Sequence, residues 1–298
     1  MTMGAAIRQT EILTTPAAAP RYASGSGVRG KAEAVFARRQ GRTALASLFQ
    51  HDPLRVLFPT PPLGELTSAV LVTTSGGLVG GDEIAVRIAA GQGTAVLASP
   101  QAAEKVYRSA GADCRIDMRL EAGPDAWLEW LPQETIVFNG ARLRRRTVIE
   151  AAPGACVLAG EMLALGRAAM GERLHTGLLR DAWEVRCNGR LKWADALHIE
   201  DDMAGVLAHP AGLGGAVACA TAVYVDDDAG ARLEAARALL KEAGDGVRSA
   251  ATVVNGVLVA RWIAAEGAAM RRAYGGFWAG FRREVAGLPA RLPRLWYI

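Results

Sequence analysis

The sequence contains few cysteines, few aromatic residues and little excess charge of either sign. Four of its 298 residues are cysteine, and no two of them have the two-residue gap of a zinc knuckle or a redox motif. Aromatic residues make up 6%, and 34 basic residues are balanced by 30 acidic ones. This composition requires neither a nucleic acid nor a membrane as a partner. With no apolar signal segment at its start, the chain is predicted to be cytoplasmic and to keep its thiols reduced.

Sequence motifs of the common enzymes and metal sites are also missing. There is no GxxxxGK(S/T) phosphate loop, no GxSxG nucleophile elbow and no HExxH zinc motif. A GxGxxG match at residues 25–30 lacks the preceding apolar strand that a dinucleotide site needs. The histidines are too widely spaced to form a zinc site from neighbouring ligands: His51, His175, His198 and His209. The sequence therefore carries none of these common local sites, although metal ligands can converge from distant positions.

Apolar residues and glycine are abundant. Hydrophobic residues make up 51% of the chain and charged residues 21%, which excludes a disordered protein and predicts a full core. The first 30 residues contain alanine–proline and serine–glycine runs and are predicted to form a flexible leader. No linker follows them, so residues 31–298 are predicted to form a single domain.

Apolar residues alternate with polar ones in several segments, which is the pattern of strands with one buried face. The clearest examples are residues 84–88 and 114–120. Three units of strand, tight turn, strand and polar corner begin at Ile88, Leu120 and Ile149, which are 32 and 29 residues apart. Their second strands align at three alanines: Ala95, Ala126 and Ala155. This period predicts stacked coils of β-structure, although a plain meander would show a similar pattern.

Two helices are predicted near the C-terminus of this mainly β chain. Asp228 can cap a helix that runs through Lys241 and stops at Gly244. A second helix is indicated by an apolar stripe with helical spacing: Met270, Tyr274, Phe277, Phe281 and Val285. Residues 203–225 carry almost no charge, but glycines and Pro210 divide them into two short apolar runs. We predict two buried strands around a glycine-rich turn there, rather than a membrane span.

A glycine-rich segment, residues 76–82 (GGLVGGD), lies between two predicted strands. Its glycines indicate backbone with positive φ or with close approach of another segment: Gly76, Gly77, Gly80 and Gly81. One interpretation is an elaborate turn capped by Asp82. The other is the wall of a surface or channel, where the backbone lies open and the Asp82 side chain faces a ligand.

Polar corners follow the repeat units at residues 104–105, at residues 133–134 and at Glu161. Stacked coils would bring these corners together, along either a solvated edge or a hydrophilic passage. A basic run follows the second corner: Arg142, Arg144, Arg145 and Arg146. Alternation along a strand places Arg145 on the opposite face from Arg144 and Arg146. Because no aromatic residue interrupts this run, it favours a solvated edge or a protein contact over nucleic acid.

Glu161 lies between two apolar segments, residues 155–159 and 162–165, and is predicted to be at least partly buried. A buried charge must be paired, neutralised or in contact with internal water. Glu161 therefore either pairs with Arg167 or another basic residue, or lines a passage.

Six segments resemble, in order, the motifs of the UreD (also called UreH) family of urease accessory proteins. They are residues 76–82 (GGLVGGD), 103–109 (AEKVYRS), 130–136 (WLPQETI), 138–141 (FNGA), 161–172 (EMLALGRAAMGE) and 292–296 (LPRLW). Together they extend over the chain from about residue 30 to its C-terminus. The corner at residues 99–105 is one residue longer than in the commonest form of the family.

The resemblance implies a non-enzymatic role in urease maturation, with no permanently bound cofactor. UreD-like proteins act with UreF, the GTPase UreG and often the metallochaperone UreE, and they bind UreF and the urease apoprotein. They support the insertion of nickel into urease, and an internal passage is thought to carry nickel in transit. The resemblance further implies a mainly β fold, a distorted β-helix-like stack of strands with little helix. The candidate passage acids at the matching positions are Asp82, Glu161 and Asp195.

Two other functions stay open as alternatives. An enzyme could use a distant acid pair, such as Asp82 and Glu161, as general acid and base. A basic nucleic-acid-binding protein is favoured least, given the low charge and aromatic content. Sparse charge in residues 203–225 and around Phe277 and Trp278 also predicts large apolar contact surfaces for a partner.

Overall fold

The chain is built mainly from strands. A computed structural model describes residues 27–297, which contain seventeen of them. They are β1 (Arg29–Arg39), β2 (Arg42–His51), β3 (Leu54–Leu57), β4 (Thr67–Thr73), β5 (Glu83–Ala90), β6 (Ala95–Pro100), β7 (Glu104–Val106), β8 (Cys114–Ala122), β9 (Trp127–Trp130), β10 (Glu134–Val137), β11 (Arg142–Ala151), β12 (Cys156–Leu165), β13 (Leu178–Cys187), β14 (Arg190–Glu200), β15 (Ala218–Val225), β16 (Val247–Val254) and β17 (Val257–Ala264). The predicted leader falls outside the described residues except for residues 27–30.

Three α-helices accompany the strands in residues 27–297: α1 (Met203–Ala208), α2 (Leu233–Leu240) and α3 (Gly267–Ala286). Asp228 begins a 3-10 turn that continues into α2, and its carboxylate accepts a hydrogen bond from the Ala231 backbone N–H. Helix α3 ends where Gly287 adopts a φ of 64°, a left-handed conformation that costs glycine little. The prediction of two helices near the C-terminus of a mainly β chain is confirmed.

The strands form two sheets that share a core. Sheet A has seven strands in the order β14-β13-β11-β8-β5-β1-β2. Sheet B has the order β16-β17-β15-β12-β9-β6-β4-β3, and the short strands β7 and β10 join it beside β12. Neighbouring central strands are parallel in both sheets, because the chain passes from one sheet to the other and returns within each coil.

The three repeat units are successive coils of this stack. In sheet A, Leu120 pairs with both Ile88 and Ile149, as the repeat predicts. In sheet B, the second strands β6, β9 and β12 are also neighbours. The β-helix-like stack is therefore confirmed. The alignment of Ala95 is wrong by one residue, because Ala95 pairs with Trp127 and not with Ala126.

Two apolar cores hold the layers together. One fills the space between the sheets, and the other lies between sheet B and helix α3. Alternate residues of β12 therefore face different cores, with Val157 in the first and Leu158 in the second. A buried ion pair fixes α3 to sheet B. Arg282 Nε donates to Glu129 at 3.1 Å, and Trp278 Nε1 donates to the same carboxylate at 2.9 Å.

Residues 203–225 do not form two strands. They form α1, a glycine-rich turn and β15, because the Asp202 carboxylate accepts a hydrogen bond from the Gly205 backbone N–H and caps a helix. The prediction of a first strand here is wrong, whereas the second strand is present as β15. Within residues 27–297, no helix combines the length and apolar character that crossing a membrane requires.

The predicted apolar contact surfaces are wrong for β15 and α3. Phe277 is 3% exposed and Trp278 is fully buried, and both pack between α3 and sheet B. Val223 of β15 is also fully buried, in the core between the sheets. The low charge of these segments therefore reflects burial within the chain.

Candidate functional site

The glycine-rich segment forms a tight turn between β4 and β5. Gly76 and Gly81 have φ values of 77° and 97°, left-handed conformations that favour glycine. Gly80 does not have positive φ, but a Cβ there would collide with the Ser109 hydroxyl and the Ala112 carbonyl oxygen. The turn therefore needs glycine at some positions for conformation and at others for close approach.

Asp82 caps this turn. Its carboxylate accepts hydrogen bonds from the backbone N–H of Val79 at 2.8 Å and of Val28 at 2.9 Å. The residue is 4% exposed, so these bonds offset the cost of removing its charge from water. Asp82 thereby joins the turn to the residues that precede β1.

A cavity of about 240 Å³ lies between the sheets beside the glycine turn, and it has room for several water molecules. Gly76 and Gly77 contribute part of its wall, and apolar side chains such as Met118 and Trp130 contribute more. Its polar lining comes mainly from the corners of successive coils and from one inward-facing arginine: Thr73, Gln101, Glu104, Lys105, Gln133, Thr135, Arg145 and Glu161. Stacking of the coils thus brings the polar corners to one cavity.

Three charged side chains and a threonine form a buried cluster at this cavity. Arg145 Nη1 lies 2.6 Å from Glu161 Oε2, and Arg145 Nε lies 2.9 Å from Asp181 Oδ1. The Thr135 hydroxyl accepts from Arg145 at 2.9 Å and donates to Glu161 at 3.0 Å. The side chains of Arg145, Glu161 and Asp181 are 4%, 9% and 8% exposed. One arginine therefore serves two buried carboxylates and cannot neutralise both.

Burial, together with this imbalance of charge, shifts the protonation of Glu161. Burial raises the pKa of Glu161 to about 7, and the nearby charge of Asp181 adds to that effect against the opposing pull of Arg145 and Thr135. Burial also raises the pKa of Glu104, against a hydrogen bond from Thr73. A carboxyl group with a pKa near neutrality can exchange its proton for another cation at physiological pH.

Polar residues continue from the cluster across the inner face of sheet B. Glu161 pairs in register with Thr221, and Thr221 pairs with Arg261. Arg261 Nη2 lies 2.5 Å from Asp195 Oδ2 on β14 of sheet A. The Arg261 and Asp195 side chains are 53% and 39% exposed, so this end meets solvent. We name the following residues the interior polar row: Arg145, Asp181, Glu161, Thr221, Arg261 and Asp195.

The three predicted passage acids occupy different places. Glu161 lies at the cavity and Asp195 at the far end of the interior polar row. Asp82 lies outside the row, bound to backbone N–H groups, although its charge helps to raise the pKa of Glu104. Asp82 and Glu161, the suggested acid–base pair, therefore have separate partners. Among residues 27–297, no group of three or more His, Cys, Asp or Glu side chains is placed to hold a metal ion.

Glu161 pairs with Arg145 and not with Arg167, the first partner considered. Arg167 binds Glu172 at 2.9 Å, and Arg145 takes its place beside Glu161. The alternation of residues 142–146 predicts that Arg145 lies on the opposite face from Arg144 and Arg146, but Asp181 was not predicted to lie at this site. The signal for Asp181 is present in β13, where residues two positions away on either side, Leu179 and Trp183, are buried.

The chain is similar in sequence to urease accessory proteins over most of its length. A family model described as UreD urease accessory protein matches residues 28–297. Urease accessory protein UreD of Magnetococcus marinus is 47% identical over 275 residues, which cover 91% of this chain and 95% of that protein. The UreD proteins of Methylobacterium sp. strain 4-46 and Rhodopseudomonas palustris strain BisA53 are 44% and 38% identical, covering 86% and 97% of this chain and 89% and 97% of their own lengths. The chain therefore belongs to the UreD family of urease accessory proteins.

Proposed function

We propose that the chain is a non-enzymatic scaffold that acts with UreF and UreG in the cytoplasm to load nickel into the urease apoprotein. UreE is a further partner in this proposal. Membership of the family supports the role in urease maturation. The interior polar row is the observation that carries the part concerning nickel.

The interior polar row suits a cargo that crosses the chain between its sheets. Buried charges are costly, and apolar residues in their place would often be neutral or more stable, so the buried cluster at one end of the row suggests a functional use. From this cluster, Thr221 leads to the half-exposed ion pair of Arg261 and Asp195. Glu104, Gln133, Thr135 and Glu161 offer oxygen atoms at the cavity. Oxygen ligands hold a borderline cation such as nickel less selectively than imidazole or thiolate, which favours release over storage.

Transit of nickel past Glu161 requires the Arg145 side chain to move. It pairs with Glu161 and Asp181, so a divalent cation gains the full attraction of these carboxylates only when the arginine moves aside. An approaching cation also favours the ionised form of Glu161. The Glu161 proton therefore leaves as nickel arrives and returns as nickel moves on.

Reconstitution of urease from its apoprotein tests the maturation role. Apo-urease is incubated with nickel, GTP, UreF, UreG and UreE, with or without this chain, and nickel per urease active site is measured. We expect nickel content and urease activity to be low when the chain is omitted. Equal nickel content in both reactions would contradict the proposed function.

A further inference from the structure

One register row on the outer face of sheet A contains four arginines. Six residues on neighbouring strands are paired in this row: Arg29, Glu83, Arg115, Arg144, Arg180 and His198. Arg115, Arg144 and Arg180 stand side by side on three adjacent strands. Like charges directly opposite each other destabilise a sheet, so this arrangement calls for a compensating negative charge.

The chain supplies that compensation in part, because Glu83 is paired in register with Arg115 and a carboxylate binds Arg144. Arg144 Nε lies 2.5 Å from Asp113, a carboxylate that Arg142 shares. Burial would raise the pKa of Asp113, but the hydrogen bonds from Arg144 and Arg142 hold it below its usual value. Arg115 is exposed and Arg180 is half-buried. Neither makes an ion pair or a side-chain hydrogen bond within the described part of the chain, so both guanidinium groups are available to a partner.

We propose that this arginine row is a docking surface for an acidic helix of a protein partner. Neighbouring strands lie about 4.8 Å apart, so Arg115 and Arg180 are separated by about 10 Å across the sheet. Seven residues of α-helix rise about 10.5 Å. Carboxylates at helix positions i and i+7 therefore match Arg115 and Arg180, and one at i+3 or i+4 faces Arg144, which binds Asp113 through Nε. Each arginine can bind a carboxylate through two parallel hydrogen bonds.

Acidic residues around the row favour a protein partner over nucleic acid. Glu83 lies in the row itself, and Asp117 and Glu200 lie two residues from Arg115 and His198 on the same outer face. A nucleic acid strand carries a phosphate about every 3.4 Å and would pass these carboxylates. A helix needs acidic side chains only at the positions that face the arginines, so it can avoid these carboxylates. The row also has no aromatic residue on which a base could stack.

Binding of a synthetic helical peptide tests the arginine row. The probe is a fluorescent, alanine-rich peptide with glutamate at positions i, i+4 and i+7, and its match carries glutamine at those positions. By fluorescence anisotropy at low salt, we expect about tenfold tighter binding of the glutamate peptide, because charge-assisted hydrogen bonds are the stronger ones. The double variant Arg115→Glu, Arg180→Glu should lose this preference.

A matched control carries the same change of charge elsewhere. Arg39 and Arg42 are exposed at the turn between β1 and β2, far along the strands from the arginine row. The double variant Arg39→Glu, Arg42→Glu should keep the preference for the glutamate peptide. Thermal unfolding of each variant is recorded in the same preparation, and Arg115→Gln, Arg180→Gln is used if the glutamates prevent folding.

Three results would overturn the proposal. They are equal binding of both peptides, equal loss in both double variants, and tighter binding of a DNA duplex that only the row variant abolishes. The proposal depends on the proposed function only in expecting that the chain works in a protein complex. Because the peptide assay contains no urease, UreF or nickel, its failure and a failed reconstitution of urease are separate results.

Discussion

Arg145 holds two buried carboxylates, and without it both would lack a counter-charge. Arg145→Met replaces the guanidinium side chain with an unbranched apolar one and leaves Glu161 and Asp181 unpaired. Removing one partner of a buried ion pair costs about 3–5 kcal/mol. We expect a loss near the lower end of that range, because Glu161 can take up a proton. Urea unfolding at neutral pH measures the change in free energy.

Arg39→Met is the matched control for this substitution. Arg39 is exposed at the end of β1, and surface substitutions change stability by about 0.5 kcal/mol or less. Similar free energies of unfolding for the two variants would show that the buried cluster is not needed for stability.

Glu161 should make the stability of the chain depend on pH. Its pKa is about 7 in the folded chain, above the ordinary value of 4.5, so between these values the folded state holds a proton that the unfolded state releases. The stabilisation from this group is therefore present below about pH 4.5 and is lost as the pH rises through about 7. In urea unfolding, the stability of the unmodified chain relative to Glu161→Gln should fall across this window. A difference that stays constant or grows with pH would contradict the raised pKa.

At the scale of an element, the glycine turn before β5 should tolerate no side chain at Gly80. Gly80→Ala places a Cβ against Ser109 and the backbone of Ala112. Such overpacking costs about 1–3 kcal/mol. Gly267→Ala at the start of α3 is the control, because nothing lies within 4 Å of its Cβ position and the change should stabilise by about 0.4–1 kcal/mol. Equal changes in the free energy of unfolding would argue against close packing of the turn.

Elements with a long periodic pattern can be predicted from this sequence, whereas short elements cannot. The alternation in β5 and β8 and the apolar stripe of α3 each extend over several repeats of their period. Helix α1 has only six residues, and Asp202 is the main local signal for its start. A glycine-rich apolar segment fits a short helix as well as a short strand, so only its packing decides between them.

At the scale of the whole molecule, the repeat predicts the stack of coils but not the contacts across it. The inward position of Arg145 follows from alternation with Leu143 and Thr147 along one strand. Its partner Glu161 lies in the other sheet, and which residues meet there depends on the lengths of all the coils between them. The pair of Arg282 and Glu129 is 153 residues apart for the same reason. Local sequence patterns therefore do not predict long-range ion pairs.

Glu161→Gln tests the claim that the interior polar row carries nickel during urease maturation. Glutamine keeps the shape of the side chain and can accept the hydrogen bond from Thr135, while Arg145 retains its ion pair with Asp181. An amide attracts a divalent cation far less than a carboxylate does. The control is Glu234→Gln, since the Glu234 side chain is 82% exposed.

Nickel per urease active site and the yield of the complex with UreF and UreG are measured in the same preparation. We predict normal complex yield with reduced nickel for Glu161→Gln, and normal values of both for Glu234→Gln. Normal yield together with normal nickel content for Glu161→Gln would contradict the claim.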